Sequence, residues 1–170
     1  MQRIKQAWKN EKGLTLVELL AVVVILGIIA AIAVPSIGGI IENSKRDAHI
    51  ANAQQMISSA KLVAASEISS RGDGEYYVSL TYLVEQGYLD TFENPFDDNA
   101  YDTISTGATE IIDIVAGDTA PTTGSFVFID KDANKFSYKV TLDADTGNED
   151  YDIDDRTEDQ LTRESAFSTE

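Results

Sequence analysis

The hydrophobic positions of this chain change their period twice, and each change marks a boundary. From Leu19 to Val34 sixteen residues in succession carry no charged or hydrogen-bonding side chain, and Val17, Leu16 and Leu14 extend the run upstream. A helix of about 21 residues rises ~32 Å, enough to cross a hydrocarbon core of ~30 Å. From Ser36 to about Ser70 the pattern becomes amphipathic. Ile50, Ala53, Ile57, Ala60, Ala64 and Ile68 recur at steps of three and four, a stripe on one helix face, with Asn52, Gln55, Ser59 and Lys61 largely off it. Arg71-Gly72-Asp73-Gly74 ends the helix, because glycines after the last periodic residue stop it.

Beyond that stop the elements are short. Ser79 to Gly87 predicts a small helix, capped by Ser79 and closed by Gly87, with Leu80, Leu83 and Val84 on one side and Tyr88-Leu89 packing back. Ile111 to Ala116, Ser125 to Ile129 and Lys135 to Leu142 are β-rich runs bounded by turn residues. In the last of them Phe136, Tyr138, Val140 and Leu142 alternate with Ser137, Lys139 and Thr141, as a strand with one buried face requires. Asp130 to Asn134 is the expected hairpin turn. The expected fold is therefore α+β: a long N-terminal helix, membrane-spanning in its first half and amphipathic in its second, packed against a small antiparallel sheet. The boundaries read as a basic leader at 1–13, an apolar helix at 14–35, its amphipathic continuation at 36–71, a globular α/β head at 72–142 and an acidic, mobile tail at 143–170.

One residue spoils the apolar run. Glu18 lies inside it, and Leu14 to Ile41 contains no Lys, Arg or His to neutralise it. An ionisable group in a membrane span is a functional hypothesis by default, with a partner to be found. Lys12 precedes the run and Lys45 lies ~40 Å beyond along a continuous helix, so neither is a convincing mate. A cut between Gly13 and Leu14 would create an α-amino group at the helix start, able to meet Glu18 of its own chain or of a neighbour.

Lys12-Gly13-Leu14-Thr15-Leu16-Val17-Glu18-Leu19-Leu20, continued by the apolar run to Pro35, resembles the prepilin leader and first helix of type IV filament proteins, the pilins and pseudopilins. The similarity is concentrated in Lys12 to Arg46. It implies cleavage after Gly13 by a membrane prepilin peptidase, N-methylation at Leu14 and use of Glu18 in subunit docking. The family most often has Phe where this chain has Leu14. The resemblance further implies that the stretch between Gly27 and Pro35, two residues that interrupt an apolar helix, unwinds when subunits pack. Its other implications are a homo-oligomeric filament, an inner-membrane assembly platform with its ATPase, and residence in the membrane before assembly. Leu80 to Leu89 followed by Asn94-Pro95-Phe96-Asp97 resembles, more weakly, the stretch after the long helix in major pseudopilins.

Charge agrees with this topology. Arg3, Lys5, Lys9 and Lys12 against Glu11 give the leader +3, which holds that end cytoplasmic and places everything after Pro35 outside. The whole chain carries −16 and the processed one −19, which disfavours direct nucleic-acid binding. There is no cysteine, so no disulfide or thiolate metal site. His49, the only histidine, reads as a surface residue, and no catalytic constellation is visible, so an enzyme is not expected.

Calcium is the one cofactor the acidic residues raise. Asp130-Lys131-Asp132-Ala133-Asn134 opens like a calcium loop, but Lys135 stands where Gly is needed and Thr141 where a bidentate Glu belongs. The last 28 residues hold eleven Asp and Glu, and Asp143, Asp145, Glu149, Asp150 and Asp152 loosely resemble the acidic C-terminal loop that binds Ca²⁺ in major pseudopilins. No metal ligands are assigned from this spacing. The leading expectation is a structural subunit of a type IV pilus-like surface filament. One alternative is a pseudopilin of a type II secretion or competence system. The other is a secreted acidic binding module with a removable signal peptide, for which Ala31-Ile32-Ala33 supplies an A-x-A cleavage pattern.

Overall fold

The computed structural model describes residues 15–97, 100–101, 109–114, 116–133, 135–144 and 151–167. The chain divides into two units, one ending at Glu42 and the other beginning at Asn43.

Helix α1, Leu16–Val63, supplies the described part of the first unit and enters the second. It runs through Gly27 and Pro35 without a break, which corrects the expectation that these residues interrupt it. Proline at 35 cannot donate to the carbonyl of Ala31, yet one missing bond is tolerated when the helix continues on both sides.

In the second unit the expected stripe is buried. Ile50, Ala53, Ile57, Ala60, Ala64 and Ile68 are joined by Met56 and Val63 in the core. Ser59, expected off the stripe, is buried too. Burial of the larger side chains stabilises the unit by about 1.5–3 kcal/mol each, which holds the amphipathic half of α1 in place more firmly than its helix propensity could. The last turn, Ala64–Ile68, widens to π geometry, with the Ser69 N–H donating to Ala64 O at 2.8 Å.

The opposing layer is a five-stranded antiparallel sheet in the order β2-β1-β3-β4-β5. Its strands are β1 (Gly74–Ser79), β2 (Ile112–Asp113), β3 (Phe126–Asp132), β4 (Lys135–Leu142) and β5 (Ile153–Thr157). The register sets Tyr76 against Ile129, Val78 against Val127, Val127 against Val140 and Leu142 against Ile153, so one face of the sheet presents apolar side chains to the α1 core. Helix α2, Leu80–Glu85, follows β1 directly; the Ser79 hydroxyl accepts from the Tyr82 N–H at 2.8 Å, as a Ser N-cap should. Gly87 takes φ +75 and lets Tyr88 and Leu89 N–H groups return to Leu83 O.

Several sequence expectations need correction. Strand β1 was not anticipated, although Glu75-Tyr76-Tyr77-Val78 is β-rich. The 111–116 run forms only the short β2. The hairpin is tighter than a turn from Asp130 to Asn134: Asp130, Lys131 and Asp132 belong to β3, Asp132 pairs with Lys135, and Ala133 takes φ 54. The largest correction concerns the supposed mobile tail. Residues 151–167 supply β5 and a 3-10 turn at Glu158–Gln160, and Ile153, Leu161 and Ala166 are buried in the core. The acidic composition concealed them because an edge strand buries only one side and its other residues, Asp154 and Asp155 here, meet solvent.

Candidate functional site

The apolar half of α1 starts with a reciprocal pair. Thr15, in front of the helix, donates its backbone N–H (2.7 Å) and its hydroxyl (2.8 Å) to Glu18 Oε2, and the Glu18 N–H donates back to Thr15 Oγ1 at 3.3 Å. This is a capping box, in which two of the orphan N–H groups of a helix start are satisfied. The sequence signal was present as Thr-x-x-Glu before an apolar run. Both Thr15 donors end on Oε2, so Oε1 keeps its acceptor capacity, with no partner among the described residues.

From Leu16 onward the large apolar side chains face outward on every side of the helix. The most exposed, Leu16, is 84% accessible and the least, Val22, still 50%. By length and composition this helix can cross a membrane. Gly27 has open space where a Cβ would point, so nothing within the described chain demands glycine there. Gly13 and Leu14 lie outside the described residues.

His49 is not on the surface, contrary to expectation. It is fully buried, its Nδ1 2.9 Å from the Tyr101 hydroxyl, which also accepts from Asn52 Nδ2 at 2.8 Å. Phe96, Tyr101 and Phe167 ring it at centroid distances of 5.3, 5.3 and 5.9 Å. Nε2 is buried without a hydrogen-bond partner. Burial holds the imidazole pKa down to about 4, with the Leu142 backbone pulling weakly the other way. Among the described residues its side-chain neighbours are these aromatic rings and the Tyr101 hydroxyl.

A second buried polar group closes the far end of α1. Lys131 Nζ donates to the carbonyls of Ile68 (3.3 Å), Ser69 (2.9 Å) and Arg71. It neutralises the orphan acceptors that every helix C-terminus leaves. Glu67 is occupied in a comparable way, accepting from the hydroxyls of Tyr82 and Tyr88.

The acidic residues do not converge on a metal site among the described residues. Asp152 Oδ1 accepts from the Ala144 N–H, Asp155 pairs with Lys139, and Asp154 accepts from Thr141. Asp145, Glu149 and Asp150, part of the loop considered for calcium, lie outside the described residues. An open cleft of about 770 Å³ lies beside Lys139, Thr141 and these aspartates.

Comparison with known proteins adds one finding. No curated protein and no solved structure matches the chain. The family described as the prokaryotic N-terminal methylation motif matches residues 8–34, which include Gly13, Leu14, Glu18 and Gly27. The capped, outward-facing apolar helix and this motif together give the chain the N-terminal signature of a type IV pilin-like precursor.

Proposed function

We propose that the protein is a structural subunit of a type IV pilus-like surface filament, cleaved after Gly13, N-methylated at Leu14 and assembled through α1. The observation that carries this reading is the exposed apolar half of α1, which begins with a carboxylate whose Oε1 has no partner among the described residues. In the membrane, lipid covers this surface; in a filament, the same surface of neighbouring subunits replaces the lipid. The methylated amine at Leu14 of a neighbour is the cation that Glu18 Oε1 accepts, which fixes the axial register of one subunit on the next. Gly27, with no packing need of its own chain, and Pro35, which removes a helix hydrogen bond, leave the intervening turns able to unwind on assembly.

The partners of this reading are a prepilin peptidase, an inner-membrane assembly platform with its ATPase, and further copies of the same chain. Its work is mechanical and interfacial rather than catalytic. Electron microscopy of cells with and without the gene tests it. Long surface fibres that vanish on deletion support the pilus subunit; an absence of fibres accompanied by loss of secretion or transformation would assign the chain to a pseudopilin instead.

A further inference from the structure

The C-terminal segment 158–167 lies along the amphipathic half of α1 and is fastened to it at several points. Lys61 pairs with Glu158, Gln54 Nε2 donates to Leu161 O at 3.5 Å, and the Arg163 guanidinium makes a two-pronged pair with Asp47. Its last anchor is aromatic. Phe167 stacks on His49, and Arg46 stands 4.8 Å from the centre of the same ring. The fastening charges are exposed, and such pairs stabilise by only ~0–1 kcal/mol each. The buried contacts, Leu161, Ala166 and the Phe167–His49 stack, therefore decide whether the segment stays down.

We propose that segment 158–167 is an acid-releasable strap on α1, with His49 as its proton sensor. Nε2 is buried without a well-formed hydrogen bond, and the Leu142 backbone, which favours the charged ring, does not offset the burial of a proton placed there. The charged and titratable groups around it do not compensate. Arg46, from the same helix, is itself a cation on the shared Phe167 ring; Asp47 is committed to Arg163 of the strap; Tyr101, from the facing loop, offers a neutral hydroxyl to Nδ1. Lifting Phe167 opens the covered side of the imidazole to water, so solvation of the imidazolium favours the open strap. With a closed-state pKa of about 4 against the ordinary 6.5, the ratio of open to closed strap rises by up to about 300-fold as pH falls through that interval. A released strap uncovers α1 beside His49 and Gln54.

His49 is the only histidine, so its ring signal is unambiguous in an NMR titration of the full chain in detergent micelles from pH 7 to 4. The expected result is that methyl signals of Leu161 and Ala166 leave their native positions together with the His49 titration, while those of Val127 and Ile129 in the sheet persist. His49→Phe, or His49→Gln should the larger ring disturb the core, is expected to keep the strap signals native over the same range. Phe167→Ala is expected to move the His49 midpoint toward 6.5. Strap signals that shift equally in the His49 variants, a His49 titration that leaves them unmoved, an unchanged midpoint in Phe167→Ala, or simultaneous loss of the sheet signals would each overturn the proposal.

Discussion

Thr15 and Glu18 hold one another across the first turn of α1, Thr15 donating twice to Oε2 and Glu18 returning its N–H to Oγ1. The cap is observed and docking of a neighbour is the role proposed for the same carboxylate, so the two have to be separated. Thr15→Val removes the cap and keeps the charge; Glu18→Gln keeps an acceptor for the cap and removes the charge. We expect Thr15→Val to cost about 1 kcal/mol of helix-end stability and leave filament yield near normal. Glu18→Gln and Glu18→Ala should insert in the membrane at least as well as the parent, since removing a charge lowers transfer cost, yet give few shear-released filaments. Normal filament amounts from Glu18→Gln would show that charge at this position does not direct docking.

Lys131 supplies the C-terminal cap of the long helix from the neighbouring strand. Lys131→Met keeps most of the side-chain volume but leaves the carbonyls of Ile68, Ser69 and Arg71 without this donor. The expected loss is about 2–3 kcal/mol in urea unfolding followed by near-ultraviolet dichroism. A loss below about 0.5 kcal/mol would mean that water replaces the ammonium at no cost.

The buried imidazole predicts a pH dependence whose sign follows from its direction of shift. Its pKa is about 4 in the folded chain and 6.5 ordinarily, so the open or unfolded form binds more protons between these values. Stability conferred by neutral His49 is fully present above pH 6.5 and is lost as pH falls toward 4, by at most about 3 kcal/mol. Denaturation curves at pH 7.5 and 4.5 measure it, and His49→Phe should remove most of the difference. Tyr101→Phe strands His49 Nδ1, leaves Asn52 Nδ2 with only its bond to the Glu93 carbonyl, and should cost about 1–2 kcal/mol at either pH.

The sequence disclosed elements whose pattern is local and missed those whose burial comes from distant partners. The α1 stripe was legible because Ile and Ala repeat at helical spacing over many turns. Lys135 to Leu142 was legible because its alternation is unbroken; the strand has those bounds. His49 was not, since its cover is Tyr101 and Phe167, far along the chain, and no periodic signal announces them. Strand β5 was hidden for the opposite reason: Ile153 is the one buried residue among Asp, Asp, Arg and Thr, and charge dominated the reading. The Glu18 cap was legible as Thr-x-x-Glu and was eclipsed by the anomaly of its charge.

The same edge strand gives a direct test of whether the C-terminal residues belong to the core. Ile153 is fully buried opposite Leu142. Ile153→Ala should cost about 2–4 kcal/mol in the same unfolding assay. A mobile tail would tolerate the change without effect.

The measurement closest to the central claim is the mass and N-terminal sequence of the mature protein recovered from the cells that make it. The motif at residues 8–34 and the Gly13–Leu14 junction lead to a chain that begins at Leu14 and carries one extra methyl group on its amine. That result would supply the methylated cation that the proposed docking to Glu18 of a neighbouring subunit requires. A mature chain beginning at Val34, after Ala31-Ile32-Ala33, would have lost Glu18 and the apolar helix together and would contradict the filament account.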